Sequence, residues 1–261
     1  KSTNSGRATF LPISSIKGRN LENLNQIKGE PGYIGVASDL LTYNSRYSEI
    51  INEKLGLERE PVAVKFVKTE EDIPQGIEKV AKKARHCEFV TRAAAGETFY
   101  ASAEEQACKG GSSAMGLEPR PPKVESGEFY YGLGRFDSVE TSKKVVDSLP
   151  KVDEENFALL YAPLKDADFV PDTLIIIAKP IAGMKTAQAI VYNTGERAQA
   201  NFAGIQSLCA DAVAGTYTTG KPNATFGCDG SRGYAGIKDD EIIYALAKDN
   251  IEPFISAFEN L

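Results

Sequence analysis

The chain has 261 residues, 42% of them apolar, enough to bury a sizeable core as one large domain or as two closely packed halves. With 30 basic against 36 acidic residues the net charge is −6 and no Lys/Arg-rich block is present, so the electrostatic footprint of a nucleic-acid-binding surface is missing. The longest unbroken apolar run, Leu-Ile-Ile-Ile-Ala at 174–178, falls far short of the roughly 20 residues that cross a bilayer.

Residues 1–36 are polar and rich in Ser, Asn and Gly, and such a segment frays unless something holds it. Residues 1–43 are therefore read as an N-terminal arm, with 1–36 packing on its own domain or on a neighbouring subunit of a homo-oligomer or filament. Lys1 stands where an initiator methionine would be. That is read either as proteolytic processing, with a removed export signal as one source, or as a cut chain. The expected location is extracellular ahead of cytoplasmic.

Beyond the arm, the spacing of apolar residues predicts a helix over 45–57 and a strand over 61–67. A long Ala- and Lys-rich helix is predicted over 75–96, closed by Gly96. A short strand at 97–102 and a glycine turn at 108–117 follow, and Pro119-Arg-Pro-Pro122 breaks the chain between halves. A strand is predicted over 127–136 and a helix over 138–149 entered from Ser138. The runs 157–164 and 172–179 are short, β-branched and without alternation, hence buried strands. Helices are predicted over 183–195 and 197–215, and two short ones over 239–261, parted near Pro253. Strands interleaved with helices give a layered α/β or α+β domain.

The four cysteines fall into an internal echo. One copy runs from Cys87 to Leu117 and the other from Cys209 to Ile237. Each has a cysteine on a predicted helix, an Ala-Gly exit, an extended Thr/Tyr piece, and a second cysteine followed by x-Gly. Cys108 aligns with Cys228, Gly110 with Gly230, Gly116 with Gly236, and Leu117 with Ile237. The expectation is an internal duplication, with halves at 44–122 and 123–261 forming one compact domain and carrying all four thiols toward a common axis.

Cysteine is among the most buried residue types even when inert, but four core thiols in register, two of them in glycine turns, point to a ligand set. Glycine beside a cysteine lets backbone N–H groups turn toward sulfur. A [4Fe–4S] cluster takes four thiolates tuned by such donors. Structural zinc usually takes cysteines as close pairs, whereas here the nearest two are 19 residues apart in sequence. Two disulfides stay open if the chain is exported, as do a zinc site and ordinary core thiols. No catalytic residue is assigned.

The segments Arg-Glu-Pro-Val-Ala-Val-Lys-Phe-Val, Ala-Cys-Lys-Gly-Gly-Ser-Ser-Ala-Met-Gly-Leu, Pro-Asp-Thr-Leu-Ile-Ile-Ile-Ala-Lys-Pro and Phe-Gly-Cys-Asp-Gly-Ser-Arg-Gly-Tyr-Ala-Gly-Ile resemble domain-of-unknown-function family 169, an uncharacterised family of anaerobic archaea and bacteria. The resemblance covers roughly residues 44–250. It carries over Cys87, Cys108, Cys209 and Cys228 with Gly110, Gly230, Ser231 and Arg232, and implies a redox or cofactor role without a defined reaction.

The leading reading is a [4Fe–4S] protein acting in electron transfer with a redox partner, the cluster held by Cys87, Cys108, Cys209 and Cys228. Alternatives are a redox enzyme in which Ser231 and Arg232 bind a small anion, and a disulfide-stapled structural subunit of an extracellular assembly. Arg232 is expected either beside the cluster or paired with Asp229 or the acidic residues at 239–241. His86, the only histidine, adjoins Cys87 and is read as a surface residue of a Lys-rich helix, with a substitute ligand or proton donor near a cluster as the alternative. Tyrosines 100, 130, 131, 217 and 234 are read as core or rim.

Overall fold

The structure, a computed structural model, describes residues 33–261. The part of the predicted arm at 1–32 lies outside the described residues, and residues 33–43 belong to the first helix.

In chain order the elements are α1 (Tyr33–Leu55), β1 (Val62–Val67), α2 (His86–Ala94), β2 (Phe99–Ser102), α3 (Lys109–Ala114), α4 (Pro122–Glu125), α5 (Glu128–Gly132), α6 (Val139–Ser148), β3 (Ala158–Pro163), β4 (Thr173–Ala178), α7 (Pro180–Thr194), a π-helical segment (Ser207–Ala214) running into α8 (Gly215–Thr219), β5 (Asn223–Thr225), α9 (Asp229–Gly233), β6 (Ile242–Ala247) and α10 (Lys248–Ala257). The fold is α/β in the layered sense. One six-stranded sheet has the order β2-β3-β1-β4-β6-β5, and every neighbouring pair is antiparallel.

The strands lack alternation because the sheet is covered on both faces. Along β1, Val62, Val64 and Phe66 enter one core, and Ala63 and Val67 enter the other. The first core is closed by Phe89, Val90 and Ala93 of α2 and by Leu208 and Val213 of the π-helical segment, and it contains Cys87 and Cys209. The second is closed by Ile51 of α1, Ile190 of α7 and Phe254 of α10. Antiparallel sheets commonly leave one face wet; here both faces need apolar residues, so the sequence shows continuous runs. The sheet order reads the same from either edge when β1, β2 and β3 are exchanged with β4, β5 and β6. β3 lies past residue 122, so the first triplet of strands closes at Pro163.

Several local expectations differ from what forms. The helix predicted over 75–96 is confined to His86–Ala94. Its first half is extended, because Val80 N–H donates to Tyr100 O at 2.9 Å, Ala84 N–H to Glu105 O at 3.0 Å and Ala107 N–H to Ala84 O at 2.8 Å. Long-range pairing therefore overrides the helical propensity of the Ala and Lys residues. The strand predicted over 127–136 is instead the short helix α5, entered through Gly127 at φ 82°. A Cβ there would sit 2.5 Å from Lys143 N, so only glycine fits this approach of α5 to α6. Residues 195–206 run outside any helix before the π-helical segment. The first of the two closing helices is strand β6, and Pro253 lies inside α10 rather than between two helices.

One side chain ties α1 to the sheet. Buried Asn44 donates through Nδ2 to Ala167 O at 2.8 Å and to Phe169 O at 3.0 Å, in the connection between β3 and β4. Removing the amide orphans both carbonyls. Asn44→Ala is expected to lower unfolding stability by about 2 kcal/mol, read as a reduced urea midpoint at unchanged slope; an unchanged midpoint would refute the role.

Candidate four-thiol site

The four cysteines arrive from four separate segments. Cys87 is the second residue of α2, Cys108 the N-cap of α3, Cys209 the third residue of the π-helical segment and Cys228 the N-cap of α9. Pairing of 84 with 105–107 sets α2 beside the turn that delivers Cys108. The return from Cys228 to β6 is clamped by Arg59, which grips the Glu241 carboxylate with Nε at 2.8 Å and Nη2 at 3.1 Å and also donates to Gly236 O at 2.7 Å. A planar guanidinium meeting a nearly buried carboxylate bidentately fixes that loop.

All four thiols are free and unpaired. Each of the six pairs among them is close enough to act electrostatically. A side-chain atom at Gly111 would lie 3.0 Å from Cys209 Sγ and 3.6 Å from Cys108 Sγ, so these two sulfurs flank that glycine. Burial first, then the Cys228 and Cys108 thiols, push Cys87 up to about 12. Burial followed by the other three thiols raises Cys209 well above the ordinary range. Burial also raises Cys108, against the pull of the Gly111 and Gly110 N–H groups and of Arg85. Backbone N–H groups of Glu88 and Ala210 likewise favour the thiolates of Cys87 and Cys209. At Cys228 the neighbour is a hydroxyl able to donate or accept: Ser231 Oγ lies 3.5 Å from Sγ and accepts from Cys228 N–H at 3.3 Å. Cys87 and Cys209 are buried, whereas Cys108 and Cys228 are half-exposed. The group therefore has an inner and an outer side.

The proposed accessory residues divide. Gly110 is required sterically, since its Cβ would meet Tyr130 Oη at 2.7 Å. Gly230 lies along the Cys228 thiol, and an added Cβ there would make ordinary contacts with Cys228 Sγ at 3.6 Å and Arg85 Cδ at 3.9 Å. Arg232 is structural. Its guanidinium donates to the carbonyls of Phe226, Lys238 and Glu241 and thereby closes the turn around α9. Asp229 pairs with Arg135 at 2.8 Å instead.

His86 is not a surface residue. It is 2% exposed, with Nδ1 at 2.8 Å from Tyr161 Oη, and Gln106 Nε2 donates to the same hydroxyl at 3.3 Å. Burial holds its pKa down at about 3, so the ring is neutral. The burial follows from its place at the start of α2, on the face that packs against Tyr161 of β3. The sequence reading also passed over Arg85, whose guanidinium carbon stacks 3.4 Å above the Tyr234 ring, and Gln106 and Gln206, two amides flanking the site. Adjacency to a cysteine was the available signal for Arg85, Gln106 and Gln206; Tyr161 had none, because strand pairing alone brings it in.

Buried polar atoms without a hydrogen-bond partner gather on these segments: His86 Nε2, Gln106 Oε1, Ser112 Oγ, and both amide atoms of Gln206. Buried polar groups are rarely left unpaired without a functional reason. Among the described residues no group of three or more His, Cys, Asp or Glu side chains is arranged to hold a metal ion, and no helix is long and apolar enough to cross a membrane.

Fold and site together define an α/β protein with four unpaired cysteines gathered on one face of an antiparallel sheet. Residues 50–257 match the profile of domain-of-unknown-function family 169, described as uncharacterised ArCR, and the chain belongs to that family. It is 44% identical over 210 residues to the uncharacterized protein MJ0308 of Methanocaldococcus jannaschii, covering 80% of this chain and 90% of that one. A 56-residue stretch, 22% of this chain and 5% of the other, is 46% identical to the chromosome partition protein Smc of Clostridium kluyveri. No solved structure matches.

Two predictions arise from this geometry. Between its folded pKa of about 3 and its ordinary 6.5, His86 is protonated in the unfolded chain and neutral in the fold, so its contribution to stability falls as pH drops below 6.5. Asp211, which burial raises to about 7, acts in the opposite sense from its ordinary 3.8 upward, so the readout must be a difference between variants. Relative to wild type, His86→Gln is expected to gain about 1 kcal/mol on going from about pH 7.5 to 5.5 in denaturant titrations, and a constant difference would refute this. Gly110→Ala should lower the melting temperature of the metal-free protein by overpacking against Tyr130. Gly230→Ala, on an open helical position, should leave it level or raise it.

Proposed function

We propose that the chain binds one [4Fe–4S] cluster through Cys87, Cys108, Cys209 and Cys228 and acts in electron transfer. The observation that carries this reading is the convergence of four free thiols from four segments, each facing an N–H or hydroxyl donor. Cysteines that served only as core filling would stay protonated and need no such donors; ionised together, the four would repel one another and need a positively charged group between them. When bound, a cluster of this type carries single electrons.

The chain's own residues supply the rest. Phe89, Leu208 and Tyr161 exclude water from the inner side. The N–H groups of Gly110, Gly111, Glu88 and Ala210 hold negative charge on sulfur. Arg85 adds a positive charge whose field reaches Cys108. The mirrored strand order and the cysteine echo belong to the same proposal, as the trace of a duplication that gave each half one inner and one outer ligand. So does the oligomer or filament assigned to residues 1–36, which would bring clusters of neighbouring chains into line.

A second reading, reductive chemistry on a small anion, has one observation in its favour. A cleft of about 550 Å³ beside α2 carries Lys82, Lys83 and Arg92 with Tyr234, and also Glu88 and Glu97, the latter paired with Arg92, so the two lysines are the cations left to meet an anion there.

Anaerobic reconstitution of the full chain, followed by iron and sulfide analysis, tests the reading. About four irons and four sulfides per chain are expected, with brown colour, and single Cys→Ser variants should lose most of it. Iron without sulfide, zinc uptake alone, or protein with no titratable thiols would overturn it. A spectrum that changes on adding a small anion would favour the enzyme.

A further inference from the structure

Gln206 is the one residue other than glycine with a left-handed backbone among the described residues, at φ 48° and ψ 29°. Such a conformation disfavours any side chain with a Cβ and persists where the surroundings over-determine it, often at ligand sites. The π-helical segment starts at the next residue, and that kind of irregularity is frequent at functional positions. The turned backbone has a local use. Gln206 O accepts from Ala210 N–H at 2.7 Å and from the Cys209 thiol at 3.4 Å.

The side chain is not explained by that role. Gln206 is 4% exposed; its amide reaches the Tyr130 hydroxyl, but neither Nε2 nor Oε1 meets a partner at full hydrogen-bond geometry. Nε2 lies 3.1 Å from the point that a Cβ on Gly110 would occupy, and Tyr130 Oη lies 2.7 Å from the same point. One residue along, Gly111 is flanked by the sulfurs of Cys209 and Cys108. The Tyr130 hydroxyl is itself within the field of Cys209, Cys108 and Cys228. An amide N–H and a phenol O–H thus meet, in a buried place, among three of the four thiols.

A buried primary amide with only a loose contact to Tyr130 and bonding capacity left over, held on a disfavoured backbone, is the arrangement expected of a donor whose acceptor is a bound group. We propose that Gln206, with Tyr130, donates a hydrogen bond to sulfur of the group held by the four cysteines and so favours its more negative oxidation state. Gln206 is in this sense a donor in contact with the bound group, aimed by its left-handed backbone. The inference rests on the four-thiolate reading above and adds to it the residue that sets the potential.

The test uses the full chain reconstituted with iron and sulfide, and its readouts are midpoint potential, metal content and melting of the metal-free form. Gln206→Asn keeps a residue that tolerates the left-handed region but retracts the amide by one methylene. Gln206→Gly removes the amide and the backbone strain together. Both are expected to keep wild-type iron and sulfide and to shift the midpoint potential to a more negative value, with Tyr130→Phe shifting it in the same direction. Metal-free Gln206→Gly should melt no lower than wild type. Loss of iron from both Gln206 variants with unchanged metal-free melting would equally support a donor to the bound group. Unchanged potentials at full iron content would overturn the proposal, as would lowered melting of both metal-free variants with no change in potential, which is the mark of a purely structural residue. Wild-type protein that takes up no iron overturns the cluster reading itself, a failure seen before any variant is compared.

Discussion

Each thiol in the group makes the next thiolate harder to form. Burial and mutual repulsion act in the same direction on Cys87 and Cys209, and the N–H donors around them offset only part of that cost. A buried thiolate without a cation is unfavourable by several kcal/mol, so the four side chains either stay protonated or share a positive group. This constraint organises the rest of the cysteine face. Helix starts and glycines supply donors to sulfur, and the apolar residues of α2 and the π-helical segment keep water from doing so. The same face carries the buried polar atoms that lack partners.

Holding four sulfurs in one place requires that their carriers do not drift, and the sheet provides this from behind. Because both faces are packed, β1, β3 and β4 are fixed by neighbours on every side. α2 rests on Tyr161 of β3 through His86 and Phe89, which places Cys87 by packing. The two N-cap cysteines are on short helices of five and six residues, too short to be stable alone, and they depend on side-chain clamps. Ser102 N–H and hydroxyl both bond the Glu105 carboxylate ahead of Cys108. Arg59 and Arg232 hold the loop behind Cys228. Two positive charges are thus committed to loop geometry, and Arg232, the last residue of the Cys-x-Gly-Ser-Arg run, bonds backbone carbonyls instead of sulfur for that reason.

What the sequence made legible was local chemistry with a strong physical signature. The buried strands at 157–164 and 172–179 stand out by β-branching and length, and the helix entered at Ser138 stands out by its cap, whose Oγ accepts from Thr141 N–H. The four cysteines could be chosen as a set because glycine spacing made two of them alike. What could not be read depended on pairing between distant segments. The Ala/Lys-rich stretch before Cys87 has helical propensity, yet its backbone bonds go to residues 100–107. Gly127 resembles any loop glycine until α6 approaches it. His86 has lysine neighbours on the extended side and an aromatic core on the helical side, and only the helix start at Arg85 decides which of them it meets. Tyr161 lies in a run of apolar residues, and its hydroxyl acquires meaning only from what β3 faces.

The inner and outer sides of the group differ in more than exposure. The inner side ends in a neutral His86, Tyr161 and Gln106, linked through one hydroxyl and sealed by Phe89 and Phe99. The charge that reaches Cys87 from its own helix is Glu88, which opposes the thiolate. The outer side presents Arg85 stacked on exposed Tyr234, the Arg135–Asp229 pair, and exposed Phe226 beside Cys228. A change of charge on the thiol group is therefore poorly answered from within and readily answered at Cys108 and Cys228, where Arg85 and solvent both reach. On the electron-transfer reading proposed above, the reorganisation that accompanies a change of charge would fall at that edge. The inner half gives the group its rigidity and the outer half its access to solvent, a division that follows from which two cysteines the sheet buries.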